Sequence, residues 1–390
     1  MELFRRTYSE INLENLRHNW QQVQAIAGPG RFVCPMVKAN AYGHGESQIA
    51  ETLVQEGAEA LGVCLLEEGL SLSTRGLKAD ILVFRGFDRR GAEAIVDNQL
   101  VPVVSEWSQL EALESVASDP VKVHLKFNTG MVRLGFEPNE SEKLFNFFKR
   151  SKKLKLKALL THLTTGDDAR TENGVSQQQF KKMLEIESFF KPLNVYTHLL
   201  NSSGIMSLSW MKKNKPDSLL AGQPTWGFRP GLMLYGCHTA PKFNFIDLKP
   251  VMSFRSVIDT VRKIGAGEPV SYGGTWTSSQ PSYIGVVPVG YADGVHRLVS
   301  NRSQVLVNGR LCPIVGRVCM DFMMIDLTEL IGHQDKSTLI GAEVTLFGHD
   351  NDGQLLSADE WAEQAQTINY EILTSVSERV PRQYKGITKP

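Results

Sequence analysis

The sequence predicts an α/β protein in which an N-terminal (β/α)8 barrel of TIM type is followed by a C-terminal β-rich domain. Three observations predict it. Short apolar runs alternate with helical periodicity through the first two thirds of the 390 residues, the pattern of parallel βα units. Chemistry-capable side chains (Lys38, His162, Asn201 with Ser202, Arg229) fall at the C-terminal ends of several different runs. A doubly wound sheet shares the alternation but concentrates its site at one crevice. From about Lys249 the helices drop out and strand-like runs follow one another directly. The expected domains are residues 1–246 and 247–390.

The first run, Arg31-Phe-Val-Cys-Pro-Met-Val37, reads as a buried strand that delivers Lys38 to its end. Turn-prone residues Ala39-Asn-Ala-Tyr-Gly-His-Gly45 follow, then a helical pattern with Ile49, Ala50, Leu53 and Val54 on one face. Runs at 60–64, 81–84, 100–104, 121–127, 156–162, 195–200 and 226–229 complete eight strands. Amphipathic stretches such as 106–116 and 177–186 lie between them, and residues 211–224 read as an extended surface loop. The second domain carries runs at 251–264, 283–289, 304–307, 311–318 and 323–327. Asn308-Gly309 between two of them is a hairpin signal. Helical character returns at Ser357, which forms a capping-box signature with Glu360.

Composition narrows the function. Forty-two basic residues balance forty-two acidic ones. The Lys-rich piece 149–157 lacks aromatic interleaving and reads as a solvated helix end entering a strand, so no nucleic-acid partner is expected. No apolar run reaches membrane-spanning length, and no signal-peptide pattern follows Met1. The five cysteines are scattered without CxxC spacing, which favours buried thiols over disulfides or a metal site. The expected compartment is the cytoplasm.

Lys38 carries the first chemical signal. A lysine where a buried strand stops is desolvated on one side and open on the other, a setting in which its amine can form a Schiff base. The segment Val37-Lys-Ala-Asn-Ala-Tyr-Gly-His-Gly45 resembles the cofactor-lysine motif of the alanine racemases. Similar elements recur in order: Lys126-Phe-Asn-Thr-Gly-Met-Val-Arg-Leu-Gly135, Thr161-His162, Asn201-Ser202 and Phe228-Arg-Pro-Gly-Leu-Met-Leu-Tyr-Gly236. The second domain adds Val270-Ser-Tyr-Gly-Gly274, Gly290-Tyr-Ala-Asp-Gly294, Gly316-Arg-Val-Cys-Met-Asp321, Ile368-Asn-Tyr-Glu371 and Arg379-Val-Pro-Arg382.

The resemblance implies an isomerase that uses pyridoxal 5′-phosphate (PLP) to interconvert L- and D-alanine, supplying D-alanine for peptidoglycan. It implies that Lys38 holds PLP and serves as one base, while Tyr272 reaches in from the partner of a homodimer as the other. His162 would hydrogen-bond that tyrosine. Arg229 would face the pyridine nitrogen; a guanidinium keeps its proton, so the ring stays unprotonated and racemisation is favoured over aminotransfer. Tyr42, Asn201, Ser202, the N–H groups of Gly231 and Leu232, and Tyr370 match the cofactor contacts. Arg133, the N–H of Met320 and Lys126, a lysine carbamylated in many members, match the substrate-carboxylate region; Tyr291 and Arg297 match the access channel. The chain departs from the family at Asn128 (usually Asp), Val132 (commonly Gly) and Phe322 (usually polar). A broader amino-acid racemase on the same scaffold is the nearest alternative. A basic amino-acid decarboxylase, a PLP carrier and a purely structural barrel fit the motifs less well.

Overall fold

The computed structural model describes residues 4–171, 173–222, 226–331 and 336–387. Strand β1 (Tyr8–Asn12) is followed by the barrel strands β2 (Ala60–Val63), β3 (Asp80–Val83), β4 (Val101–Val104), β5 (Val121–Lys126), β6 (Leu154–Leu160), β7 (Tyr196–Asn201) and β8 (Gly227–Arg229). Strands β2 to β8 lie side by side in sequence order, each parallel to the next. The run expected as the first barrel strand closes the ring. Val33 bridges Phe228 on one side and Met36 bridges Gly62 on the other, through bonds such as Cys34 N–H to Phe228 O and Val37 N–H to Gly62 O. It bridges and does not ladder because Pro35 in its middle has no N–H to give.

Helices such as Glu46–Gln55, Trp107–Val116 and Val175–Phe190 wrap the barrel. Ile49, Ala50 and Leu53 form the buried face of the first, as their spacing predicts. Residues 211–214, expected in a loop, instead extend the helix Ser202–Asn214, whose inward residues Met206, Leu208 and Met211 keep it packed. Residues 223 and 224 of that expected loop lie outside the described residues.

The second domain holds β9 (Met252–Val257), β10 (Thr260–Ile264), β11 (Pro269–Val270), β12 (Trp276–Thr277), β13 (Ser282–Val287), β14 (Gln304–Val307), β15 (Arg310–Pro313), β16 (Met323–Asp326), β17 (Glu343–His349), β18 (Leu355–Leu356) and β19 (Arg382–Lys385). The main sheet runs β15-β14-β17-β9-β1-β19, with β10-β13-β16 as a second sheet. The long run 251–264 therefore splits between two sheets. Residues 8–12, counted with the barrel in the expected boundaries, pair with β9 and β19. Arg255, buried in β9, bonds Glu10 of β1 and Glu343 of β17, tying three strands. Asn308 and Gly309 both take positive φ between β14 and β15, the twist a two-residue hairpin requires. Ser357 and Glu360 form the reciprocal capping box at the helix Ala358–Gln364. All five cysteines are free thiols, and no helix among the described residues is long and apolar enough to cross a membrane.

Candidate active site

The strand ends that carry polar residues converge on a cavity of about 500 Å3 at the C-terminal mouth of the barrel. Lys38, Tyr42, Lys126, Arg133, His162, Asn201, Ser202, Arg229, Gly231, Leu232 and Tyr370 all line it. Lys38 sits half-buried at the end of the bridging segment, its Nζ 5.9 Å from the Tyr42 ring. The backbone after it makes a left-handed turn. Ala39, Asn40, Ala41 and Tyr42 all have φ near 52–53°, although none is glycine. Such a turn costs roughly 1–2 kcal/mol per residue and persists only where its surroundings hold it. Here they do. Glu68 accepts the Ala39 N–H and Asn40 Oδ1 accepts the Glu46 N–H. The buried His44 Nδ1 bonds Ala41 O and Tyr42 O, and Arg382 donates to Gly43 O.

Part of the cavity wall is an anion cradle. Asn201 caps the helix Ser202–Asn214 by accepting the Gly204 N–H at 3.0 Å, so the helix N-terminus opens onto the cavity with Ser202 as its first residue. Ser202 Oγ accepts from the N–H of Gly231 at 3.0 Å and of Met233 at 3.3 Å. That leaves the hydroxyl hydrogen free to donate outward. The N–H of Leu232 has no acceptor among the described residues, whereas that of Gly231, expected to face a ligand, is taken by Ser202. A Cβ at Gly231 would stand 2.4 Å from the Tyr42 hydroxyl, so only glycine lets the phenol lie against this backbone. Among the described residues, five cations (Lys38, Arg85, Lys126, Arg133, Arg229) and no carboxylate line the cavity. This donor set fits a phosphorylated ligand bearing a further carboxylate.

Arg229 lines the same cavity. Its guanidinium is buried and pushed down to about 10 by that burial, so it stays charged at neutral pH. Nη1 donates to His198 Nδ1 at 2.9 Å and to His198 O; Nη2 donates to Thr161 O at 2.6 Å. Nη2 also lies 3.5 Å from His162 Nδ1. Burial first, then the charges of Arg229 and Arg133, hold His162 well below the usual imidazole range, so it is neutral. Lys126 is only 6 % exposed. Burial, reinforced by Arg229 and Arg133, pushes it down to about 8.

Three expected site residues lie elsewhere. Tyr272 is 70 % exposed, Met320 52 % and Tyr291 44 %, and none lines the barrel cavity of its own chain. Arg297 is exposed as well. The first three share one stitched surface of the second domain. Ser271 Oγ donates to Arg317 O, the Tyr291 N–H to Cys319 O and the Ala292 N–H to Met320 O. Tyr370, from the helix Asn369–Ser375, does reach the cavity, its ring 6.0 Å from that of Tyr42.

Sequence reasoning misses Arg85 and Cys64 on the cavity wall, and His198 and His124 beneath Arg229. A signal for His124 exists: it precedes Lys126 by two residues in β5, and a period of two puts both inside the barrel.

Comparison with known proteins bears on this arrangement. Residues 11–239 match the family described as "Alanine racemase, N-terminal domain" and residues 251–384 match "Alanine racemase, C-terminal domain". The chain is 36% identical over 386 residues to the alanine racemase of Halothermothrix orenii, covering 98% of this chain and 97% of that one. It is 38% identical over 397 residues to that of Sorangium cellulosum, covering 98% and 99%. Among solved structures, the alanine racemase from D-cycloserine producing Streptomyces lavendulae superposes with a TM-score of 0.88 at 27% identity, covering 99% of both chains. The Bacillus anthracis enzyme with bound L-Ala-P gives 0.85 at 29% identity, covering 99% of this chain and 96% of that one.

Proposed function

The chain belongs to the alanine racemase family, and from that premise we propose that it interconverts L- and D-alanine with PLP at a site completed by a second copy of the chain. One observation carries this reading. Lys38 lies in a cavity that also holds an anion cradle and a donor-only guanidinium, while Tyr272 stands outside it on an exposed face.

Ser202, the Leu232 N–H, the helix N-terminus, Tyr42 and Tyr370 would hold the cofactor phosphate, and Lys38 its aldehyde carbon. PLP, when bound, supplies an electron sink that lets the alanine Cα–H leave as a proton. Lys38 takes or returns that proton on one face. The partner subunit's Tyr272 does so on the other. Neutral His162, with Nδ1 towards Arg229, carries its hydrogen on Nε2 and donates it to the phenol oxygen, stabilising the phenolate form. Arg229 offers the cofactor ring only an N–H. Because a guanidinium keeps its own proton, Arg229 would not protonate the ring nitrogen, which would favour proton return at Cα.

Arg133 and the N–H of the partner subunit's Met320 bind the substrate carboxylate. Lys126 is poised for carbamylation, because an amine already inclined to neutrality reacts with CO2 and the resulting anion relieves the crowd of cations. The partner subunit's Tyr291 and Arg297 line the access channel. The expected setting is the bacterial cytoplasm, with D-alanine passing to peptidoglycan.

The test is Cα deuterium exchange in purified holoenzyme. Tyr272→Phe should slow loss of the L-alanine proton far more than that of the D-alanine proton, and Lys38→Ala should abolish cofactor attachment. Equal slowing for both enantiomers would overturn the two-base assignment.

A further inference from the structure

The barrel interior beneath Arg229 departs from the branched aliphatic layers that ordinarily fill such a barrel. It holds two buried imidazoles, His198 from β7 and His124 from β5. Arg229 Nη1 is 2.9 Å from His198 Nδ1, His198 Nε2 is 3.0 Å from His124 Nδ1, and His124 Nε2 is 3.2 Å from the Tyr196 hydroxyl. A guanidinium donates and never accepts. That single fact orders the whole line. His198 accepts at Nδ1, so its hydrogen is on Nε2 and goes to His124 Nδ1. His124 then carries its own hydrogen on Nε2 and gives it to the Tyr196 oxygen. Phe32 packs against all three rings at centroid distances of 6.0, 4.7 and 5.0 Å for His124, Tyr196 and His198, and the two imidazoles are buried while Tyr196 is half-buried. Burial, followed by the charge of Arg229, depresses both imidazoles, His124 to about 3.

The consequence falls on Arg229. Nη1 is engaged by the Nδ1 and backbone oxygen of His198, and Nη2 by Thr161 O. Only Nε–H has no partner among the described residues. We propose that His198, His124 and Tyr196 form a positioning relay that locks the Arg229 guanidinium in one orientation and leaves its Nε–H as the donor for the cofactor ring nitrogen. The relay rests on the reading that Arg229 faces that nitrogen, but its proton order can be measured without cofactor. None of the three residues touches substrate, so each acts through Arg229.

The first measurement uses apo-protein with 15N-labelled histidine. His198 and His124 should both be neutral Nε2–H tautomers from about pH 5.5 to 8.5, with downfield N–H protons. An Nδ1–H form or a charged ring at either position would overturn the relay. The second measurement uses holoenzyme. His124→Phe, which keeps an aromatic ring but removes the acceptor, should lower kcat roughly 10- to 100-fold with KM for alanine unchanged. The share of turnovers ending in pyruvate should rise. His124→Asn, whose side-chain oxygen can replace Nδ1 as acceptor, should recover most of the loss. A folded His124→Phe enzyme with wild-type kcat and pyruvate share would overturn the relay. If that variant does not fold, Tyr196→Phe, which removes one hydroxyl, is read by the same two numbers. Failure of Lys38 to bind PLP would instead remove the functional reading, whatever the tautomers prove to be.

Discussion

Val132 occupies a backbone region that a β-branched residue seldom tolerates. Its φ is 53° and it is 82 % exposed, so no packing repays the strain. It stands directly before Arg133, where the family commonly has glycine, and its N–H is held by Asn128 Oδ1 at 3.0 Å. Asn128 thereby makes the turn that an aspartate would make, and its amide adds a bond to Glu137. Val132→Gly should relieve roughly 1–2 kcal/mol of strain against roughly 0.5–1 kcal/mol of added chain entropy. A small rise in the midpoint of thermal unfolding is expected; a fall would contradict this account of the loop. Lys126 makes a second residue-scale prediction. Its amine is pushed from 10.5 to about 8 in the fold, so between those values the unfolded chain binds more protons than the folded one. Its contribution to stability is therefore most unfavourable below about pH 8 and improves as pH rises towards 10.5. In CO2-free buffer, wild-type apo-protein should gain stability relative to Lys126→Met across that window. A flat difference would refute the shift.

Elements explain which of these residues are legible in sequence. Strand ends can be read from apolar runs, and that alone brings Lys38, His162, Asn201, Ser202 and Arg229 to one mouth; Lys126 is found only through the family resemblance. The left-handed turn after Lys38 is not legible, because none of its four residues is glycine and the clamps that hold it come from Glu68, His44 and Arg382. His198 and His124 are hidden for a related reason. A histidine inside an apolar run looks like an isolated polar residue until the other strand places its partner 3.0 Å away. Asn201 is legible as a helix cap only once the helix behind it is drawn. Its capping bond makes an element-scale prediction: Asn201→Ala should cost about 1 kcal/mol of stability and weaken PLP binding measured by absorbance titration. Unchanged affinity would separate the helix cap from the phosphate cradle.

At the scale of the whole molecule, the division into a barrel and a β-rich domain can be read from where helices stop. The membership of β1 cannot. Its partners β9 and β19 lie more than two hundred residues away in sequence, and local pattern carries no record of such pairing. The exposed face bearing Tyr272, Tyr291 and Met320 is likewise a property of the folded surface, stitched by bonds among three turns. Within one chain it has no counterpart in the cavity, and a two-fold pair would let each copy complete the other. Mixing inactive Lys38→Ala with inactive Tyr272→Phe tests this most directly. After subunit exchange, each heterodimer should contain one intact site, restoring about a quarter of wild-type racemisation at equal mixing. A mixture that exchanges subunits yet stays as inactive as its parents would contradict the shared site.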